Sequence, residues 1–189
     1  RLTDAIERLS TMQLASGGFG LWNRSSPETP WVTVYATDFL LTARDMGMNV
    51  PPDLLGKALT RLTEYLKTQP PVEQYLSKDA AEALAFAARS YAGYVLARLN
   101  RAPLGDLRTI YDAFAKDRDR AVSGLPLAHL GTALAKMGDR KRSLEALTLA
   151  AGKRREENGY WGDYGSRLRD LALTLPLLIN ADVTVEGLD

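Results

Sequence analysis

Three aspartates, Asp38, Asp163 and Asp170, are the first residues in this chain to suggest chemistry. Two carboxyl groups facing one cleft, one protonated and one ionised, are what an inverting glycoside hydrolase requires, since cleavage needs an acid on one side and a water-activating base on the other. Asp170, however, follows Arg169 at the start of a helical pattern. A carboxylate there favours a helix N-terminus or an ion pair that fixes a loop, and Asp38 reads the same way. The structural role is the favoured expectation for these residues. The single histidine, His129, stands beside Leu130 in a pattern whose apolar stripe is Leu127, Leu130, Leu134 and Met137. It is expected to flank the buried face rather than to act as a base. No cysteine occurs, which removes disulfides, thiolate nucleophiles and cysteine-held zinc. No residue set implies a metal or a cofactor.

The second group is aromatic. Residues 17 to 40 read GGFGLWNRSSPETPWVTVYATDFL, and residues 159 to 165 repeat the ingredients as GYWGDYG. Gly17 and Gly18 permit a sharp bend, and the rings around it supply large apolar area with which to cover helix ends. The favoured reading is a loop plug, with Phe19 and Trp31 as its buried members and Trp161, Tyr164, Arg169 and Asp170 forming a matching structural loop. Trp22 and Tyr35 stay open between plug and contact surface.

These loops interrupt a chain that is otherwise helical in pattern. It has 189 residues, 46% of them apolar and 25% charged, an ordinary globular composition. Apolar residues recur at helical spacing, as in Leu2, Ile6, Leu9 and Met12, then Leu55, Leu59, Leu62 and Leu66. Helices are expected near 3–14, 31–46, 53–68, 78–100, 104–117, 124–137, 140–152 and 166–180. Gly47, Pro51-Pro52 and Gly138-Asp139 punctuate them as stops and starts. Short links make neighbouring helices antiparallel pairs. The two aromatic loops lie 142 residues apart, from Gly17 to Gly159, or three steps of about 47, the length of one hairpin in a helical array. Small residues through Ala80–Ala97 suit close helix packing in an inner layer. The net charge is +1, so the basic runs Arg140-Lys141-Arg142 and Lys153-Arg154-Arg155 read as solvated helix ends, and neither nucleic acid nor direct membrane contact is indicated. The chain begins without methionine, which suggests a piece of a longer polypeptide. It is expected to form a single domain over 1–189.

The run from Met12-Gln13 through Ser16-Gly17-Gly18-Phe19-Gly20-Leu21-Trp22, then Trp31 to Leu40 and Gly47 to Pro51, strongly resembles the thioester domain of bacterial α-2-macroglobulins. Trp161, Asp163-Tyr164-Gly165-Ser166-Arg167-Leu168-Arg169-Asp170 and Ala172 resemble a late segment of that same domain. The resemblance implies an all-α fold, an α/α toroid of antiparallel helical hairpins present here as an incomplete ring with exposed apolar edges. It implies a non-enzymatic part of a broad-spectrum protease inhibitor that entraps target proteases and links them through a thioester. In the family that bond joins the Cys and Gln of a Cys-Leu-Glu-Gln motif upstream of the glycine loop, so this piece corresponds to the C-terminal portion of the domain and holds no thioester residue. Trp22 and Tyr35 then become candidates for the thioester wall or for contact with neighbouring domains. A histidine that some complement relatives use would fall within PPVEQYLSKD, Pro70 to Asp79, which has none; direct aminolysis by lysine amines follows. The family context also implies a periplasmic parent anchored to the inner membrane as a lipoprotein, with a penicillin-binding protein as a possible partner. Terpenoid cyclases and prenyltransferase β-subunits share the bare glycine-aromatic signal, but neither an aspartate-rich acid motif nor an Asp, Cys and His zinc set is present. An α/α-toroid enzyme working through carboxylates is the alternative.

Overall fold

A computed structural model describes residues 1–72, 76–155 and 161–181. Among these residues there are eight α-helices: α1 (Leu2–Met12), α2 (Pro30–Asp45), α3 (Pro52–Lys67), α4 (Lys78–Arg98), α5 (Leu104–Lys116), α6 (Gly124–Lys136), α7 (Arg140–Gly152) and α8 (Arg167–Asn180), with one 3-10 turn at Arg118–Arg120. Each expected helix is found within about two residues of its expected ends, the scatter normal for frayed termini. The punctuation acts as chemistry dictates. Pro30 and Pro52 open α2 and α3, where a missing amide hydrogen is harmless. Asp139 accepts a hydrogen bond from the Arg142 amide to cap α7, and the Ser77 and Ser166 hydroxyls cap α4 and α8 in the same way.

The helices form two layers. α2, α4, α6 and α8 pack side by side in sequence order, while α3, α5 and α7 lie against them on the outer side. The inner helices start at Pro30, Lys78, Gly124 and Arg167, intervals of 48, 46 and 43 residues, so the expected hairpin step near 47 is present. Inner and outer helices differ in sequence for a physical reason. α4 and α6 are touched from several sides, and their buried residues run almost around the helix, from Ala80 to Ala97 and from Gly124 to Leu134. α3 and α5 bury one stripe each: Leu55, Leu59, Leu62 and Leu66 on α3, and Leu107, Ile110, Tyr111 and Phe114 on α5.

The inner layer curves. Trp31 at the start of α2 reaches the start of α8, with ring centroids 6.4 Å from Tyr164 and the Arg169 guanidinium 4.8 Å above its indole. First and last inner helices thus meet across α4 and α6, which is consistent with an arc of a toroid. On its other face α8 leaves Leu168, Leu171, Leu175 and Ile179 exposed along one stripe.

The small residues of α4 set how closely its neighbours approach. Ala88 is fully buried in the core, so Ala88→Leu has no space to enter without moving a helix. Urea unfolding is expected to show a loss of about 1–3 kcal/mol, the usual cost of overpacking, and an unchanged midpoint would count against this tight inner seam.

Candidate functional site

The glycine loop before α2 is a built object. Gly17 adopts a φ of +88° and lies so close to α3 that an added Cβ would sit 2.4 Å from the Lys57 carbonyl oxygen; only glycine satisfies both demands. The Gln13 side-chain amide donates to the carbonyls of Gly17 at 3.1 Å and of Leu54 at 2.9 Å. Phe19 then turns inward. Its amide donates to the Thr33 hydroxyl at 2.9 Å, its carbonyl accepts from the Thr29 amide at 3.0 Å, and its ring is fully buried.

Glu28 closes the loop, a role that sequence reasoning missed. Its carboxylate accepts from Arg61 Nε at 2.8 Å and Nη2 at 3.0 Å, from the Ser16 hydroxyl at 2.9 Å, and from the Tyr65 hydroxyl. It presses on Gly18, where a Cβ would stand 2.3 Å from the Glu28 carboxyl carbon. Burial, then the charge of Glu28, push the Tyr65 phenol well above its ordinary value, so it remains a donor at all working pH. Nothing in the sequence marks Glu28, because three of its four hydrogen bonds come from α3, more than 30 residues away.

At the other end the loop delivers Trp31 into an aromatic junction. Trp31 stacks on Tyr35 at 5.2 Å and tilts against Tyr91 at 6.2 Å. Tyr91 lies parallel to His129 at 4.2 Å, and Tyr94 covers the imidazole at 5.3 Å. His129 is therefore buried at 6% exposure and not at the flank of the core, a correction to its expected place. The reason is that α6 is covered on more than one side, so position beside the apolar stripe does not mean the surface. Burial, then the positive charge of Arg169, pull its pKa down to about 3, with Asp170 acting in the opposite sense.

The carboxylates considered for acid–base work are occupied by cations. Asp38 accepts from the Tyr91 hydroxyl at 2.6 Å and pairs with Arg98. Asp163 and Asp170 share Arg155 and Arg169: Arg155 Nε lies 2.7 Å from Asp170, its Nη2 bonds Asp163, and Arg169 Nη2 lies 2.7 Å from Asp170 and 3.2 Å from Asp163. Arg155 is 6% exposed. The expectation of a solvated Lys153-Arg154-Arg155 run is therefore overturned at its last member, which two aspartates draw inward. Arg142 in the other basic run is likewise paired, with Asp112 and Asp139.

The remaining expected site residues separate. Trp161 is half-buried with its indole nitrogen enclosed. Tyr164 holds a φ of +53° and leaves its ring 47% exposed beside Trp31. Tyr35 is 54% exposed, one face being used on Trp31. Trp22 is 79% exposed, so it is no part of a buried plug. Gly159 and Tyr160 of the second loop, and residues 73–75 of the Pro70–Asp79 stretch, lie outside the described residues.

Helical hairpins in two layers, with loops locked by aromatic and ionic contacts and with charged groups paired to one another, define a scaffold class of helical array. No protein-family profile matches the chain. Its sequence is 46% identical over 181 residues to an alpha-2-macroglobulin of Xylella fastidiosa, covering 94% of this chain and 11% of the relative. Its fold matches native alpha-2-macroglobulin of Escherichia coli, solved from domain MG7 to the C-terminus, with a TM-score of 0.88 at 42% identity over 96% of this chain and 28% of that one. It also matches the trypsin-activated Escherichia coli protein, with a TM-score of 0.85 at 42% identity over 95% of this chain and 12% of that one. The chain is a homologue of one segment of the bacterial alpha-2-macroglobulins.

The junction's electrostatics make two outcomes measurable. His129 has a folded-state pKa of about 3 against an ordinary 6.5, so its neutral form stabilises the fold above pH 6.5 and that contribution is lost as pH falls toward 3. Linkage puts the loss at about 2 kcal/mol by pH 5, and denaturant titrations of wild type and His129→Phe should differ in their acid slope by that amount; parallel slopes would contradict it. Arg155→Met leaves two buried carboxylates sharing Arg169 alone, which should cost about 3–5 kcal/mol in urea unfolding, whereas Arg154→Met, one residue away on the exposed side, should cost almost nothing.

Proposed function

We propose that this chain is a non-enzymatic scaffold segment of a bacterial macroglobulin that entraps proteases and links them through a thioester. The supporting observation is the 46% identity over nearly the whole chain, joined to the same fold in native and trypsin-activated relatives. Neighbouring domains of the same chain and target proteases are its partners under this reading, and no cofactor is needed.

The chemistry sets what the segment must supply. A thioester is an activated acyl group, and attack by a lysine amine forms an amide while the carbon–sulfur bond breaks and the thiolate leaves. This chain has no cysteine, so the bond belongs to residues outside it. What these residues contribute is shape and dryness, because apolar walls keep out the water that would hydrolyse the bond. Tyr35 and Tyr164 suit such a wall, since both present exposed ring area on either side of Trp31, which is held in place by Arg169 and Tyr91. Trp22, 79% exposed in the loop that leads to Trp31, stays a candidate for the wall or for contact with a neighbouring domain.

The alternative, a toroid enzyme using carboxylates, is disfavoured by Asp38, Asp163 and Asp170 each being held by arginine. The same reading, which rests on the resemblance to the bacterial family, has the parent work in the periplasm as a lipoprotein of the inner membrane, with a penicillin-binding protein as a candidate companion. The anchor of a lipoprotein is a lipid carried on a cysteine, and this chain has none, so under this reading the anchored residue belongs to another part of the parent.

The full-length protein is the material for the test. Incubation with trypsin should give a covalent protease adduct on denaturing gels and protect large substrates from cleavage more than small ones, and prior methylamine should abolish the adduct. Tyr35→Ala and Tyr164→Ala should speed spontaneous thiol release at unchanged helical content. Absence of any adduct in the wild type would overturn the inhibitor reading, and unaltered thiol release in both variants would remove the two tyrosines from the wall.

A further inference from the structure

The loop carrying Trp22 is rigid for a surface loop, and its bonds hold a tryptophan outside. Gly20 pairs with Glu28 in an isolated antiparallel bridge, below which Glu28 is clamped by Arg61, Tyr65 and Ser16. The Asn23 side-chain oxygen accepts from the Ser25 amide at 2.8 Å, and the Asn23 amide donates to the Ser26 hydroxyl at 3.2 Å. Arg24 reaches back to the end of α1, donating to the carbonyls of Thr11 at 3.0 Å and Ser10 at 2.8 Å. These two carbonyls lie in the last turn of α1, where intrahelical partners run out. Gly20 is hemmed in as well, since a Cβ would stand 2.8 Å from the Ser26 Cβ and 2.9 Å from the Asn23 carbonyl oxygen. Trp22 itself contributes nothing to this order, being 79% exposed.

A large indole held in water by a preformed loop is the arrangement found where interface energy concentrates, because binding immobilises little that was free. The loop's charge state narrows the partner. Arg24 is committed to α1, and the neighbours of Trp22 from Leu21 to Ser26 are otherwise uncharged. One arginine whose Nε and Nη2 are already taken offers little to a highly charged partner, whereas the exposed indole fits a neutral apolar patch. The matched relatives narrow it further: this chain corresponds to 28% of the native Escherichia coli piece and 11% of the Xylella protein, so most of the protein surface available to it belongs to the same polypeptide, at high effective concentration. The fold is also retained in both native and trypsin-activated relatives, so a contact made from this loop is made by a rigid body.

We infer that Trp22 is the docking anchor by which this segment seats on a neutral, apolar patch of another domain of its own polypeptide. The inference needs only kinship to a longer chain and is independent of the protease-trapping reading.

Hydroxyl-radical footprinting of the full-length protein, read residue by residue by mass spectrometry, tests it. In the native protein at high dilution Trp22 is expected to be modified about fivefold more slowly than in the urea-unfolded chain, as befits a desolvated interface centre. Modification close to the unfolded rate, the behaviour that 79% exposure would give, overturns it. Protection appearing only as concentration rises would assign Trp22 to a contact between copies, and protection appearing only on addition of protease would assign it to the target; either result also overturns the proposal. Trp22→Ser in the full-length protein provides a second readout. Helical content should be unchanged while limited proteolysis between domains accelerates several-fold, and wild-type proteolysis of a folded Trp22→Ser protein would refute a role in docking.

Discussion

The inner layer is the constraint from which the rest of this structure follows. α4 and α6 are buried almost around their circumference, so they must present small or apolar residues on nearly every face. Alanine fills the sides of α4 where neighbours come closest. Larger residues enter only where two helices leave room, as when Phe86 stacks on Phe114 at 5.5 Å and Tyr91 on His129 at 4.2 Å. Because apolar burial contributes in proportion to area, the outer helices need only one stripe each, and their far faces are free to be charged.

Loops in such an array inherit a difficult geometry. The segment before each inner helix must climb from the outer layer, reverse, and enter a crowded interior, and its backbone polar groups travel with it. The chain solves this twice with different materials. Before α2, glycine and one carboxylate suffice: Gly17 and Gly18 allow close approach, and Glu28 gathers Ser16, Arg61 and Tyr65. Before α8, two arginines and two aspartates form a buried cluster that holds Tyr164 in a left-handed conformation beside Trp31. A buried ion network is weak evidence for stability but strong evidence for a fixed geometry, since removing one member leaves an uncompensated charge. That the two loops meet at Trp31 explains why first and last inner helices stay together although two helices lie between them.

The helices were legible in the sequence because their signals are local. Apolar period, proline at a first turn and glycine after a last one act within a few residues, and Gly47 and Gly138 do take the left-handed conformation that ends a helix. The plug residues Phe19 and Trp31 were legible as well, since both end up buried. What could not be read was the direction of each aromatic ring. Phe19 and Trp22 stand three apart in one loop, yet one is fully buried and the other open to water, and the choice is made by backbone pairing of residues 13 with 19 and 20 with 28. Glu28, Arg155 and His129 were misread or missed for one shared reason: their partners lie 8 to 38 residues away in the chain, and residue type alone does not say which group is drawn inward.

A segment built in this way is suited to being carried rather than remodelled. Its buried carboxylates pair with its own arginines, its loops are tied to its own helices, and its likeness to relatives is nearly equal for a native and a trypsin-activated form. Interfaces and packed cores tend to hold one of a few discrete arrangements and to resist continuous deformation. If a surrounding protein changes shape, motion is therefore cheapest at the edges of this unit, where exposed apolar groups such as Trp22 and the α8 stripe meet whatever lies beside them. A unit that moves as one body keeps its junction at Trp31 intact, with Tyr35, Tyr91 and Arg169 around the indole, whichever neighbour shifts against it.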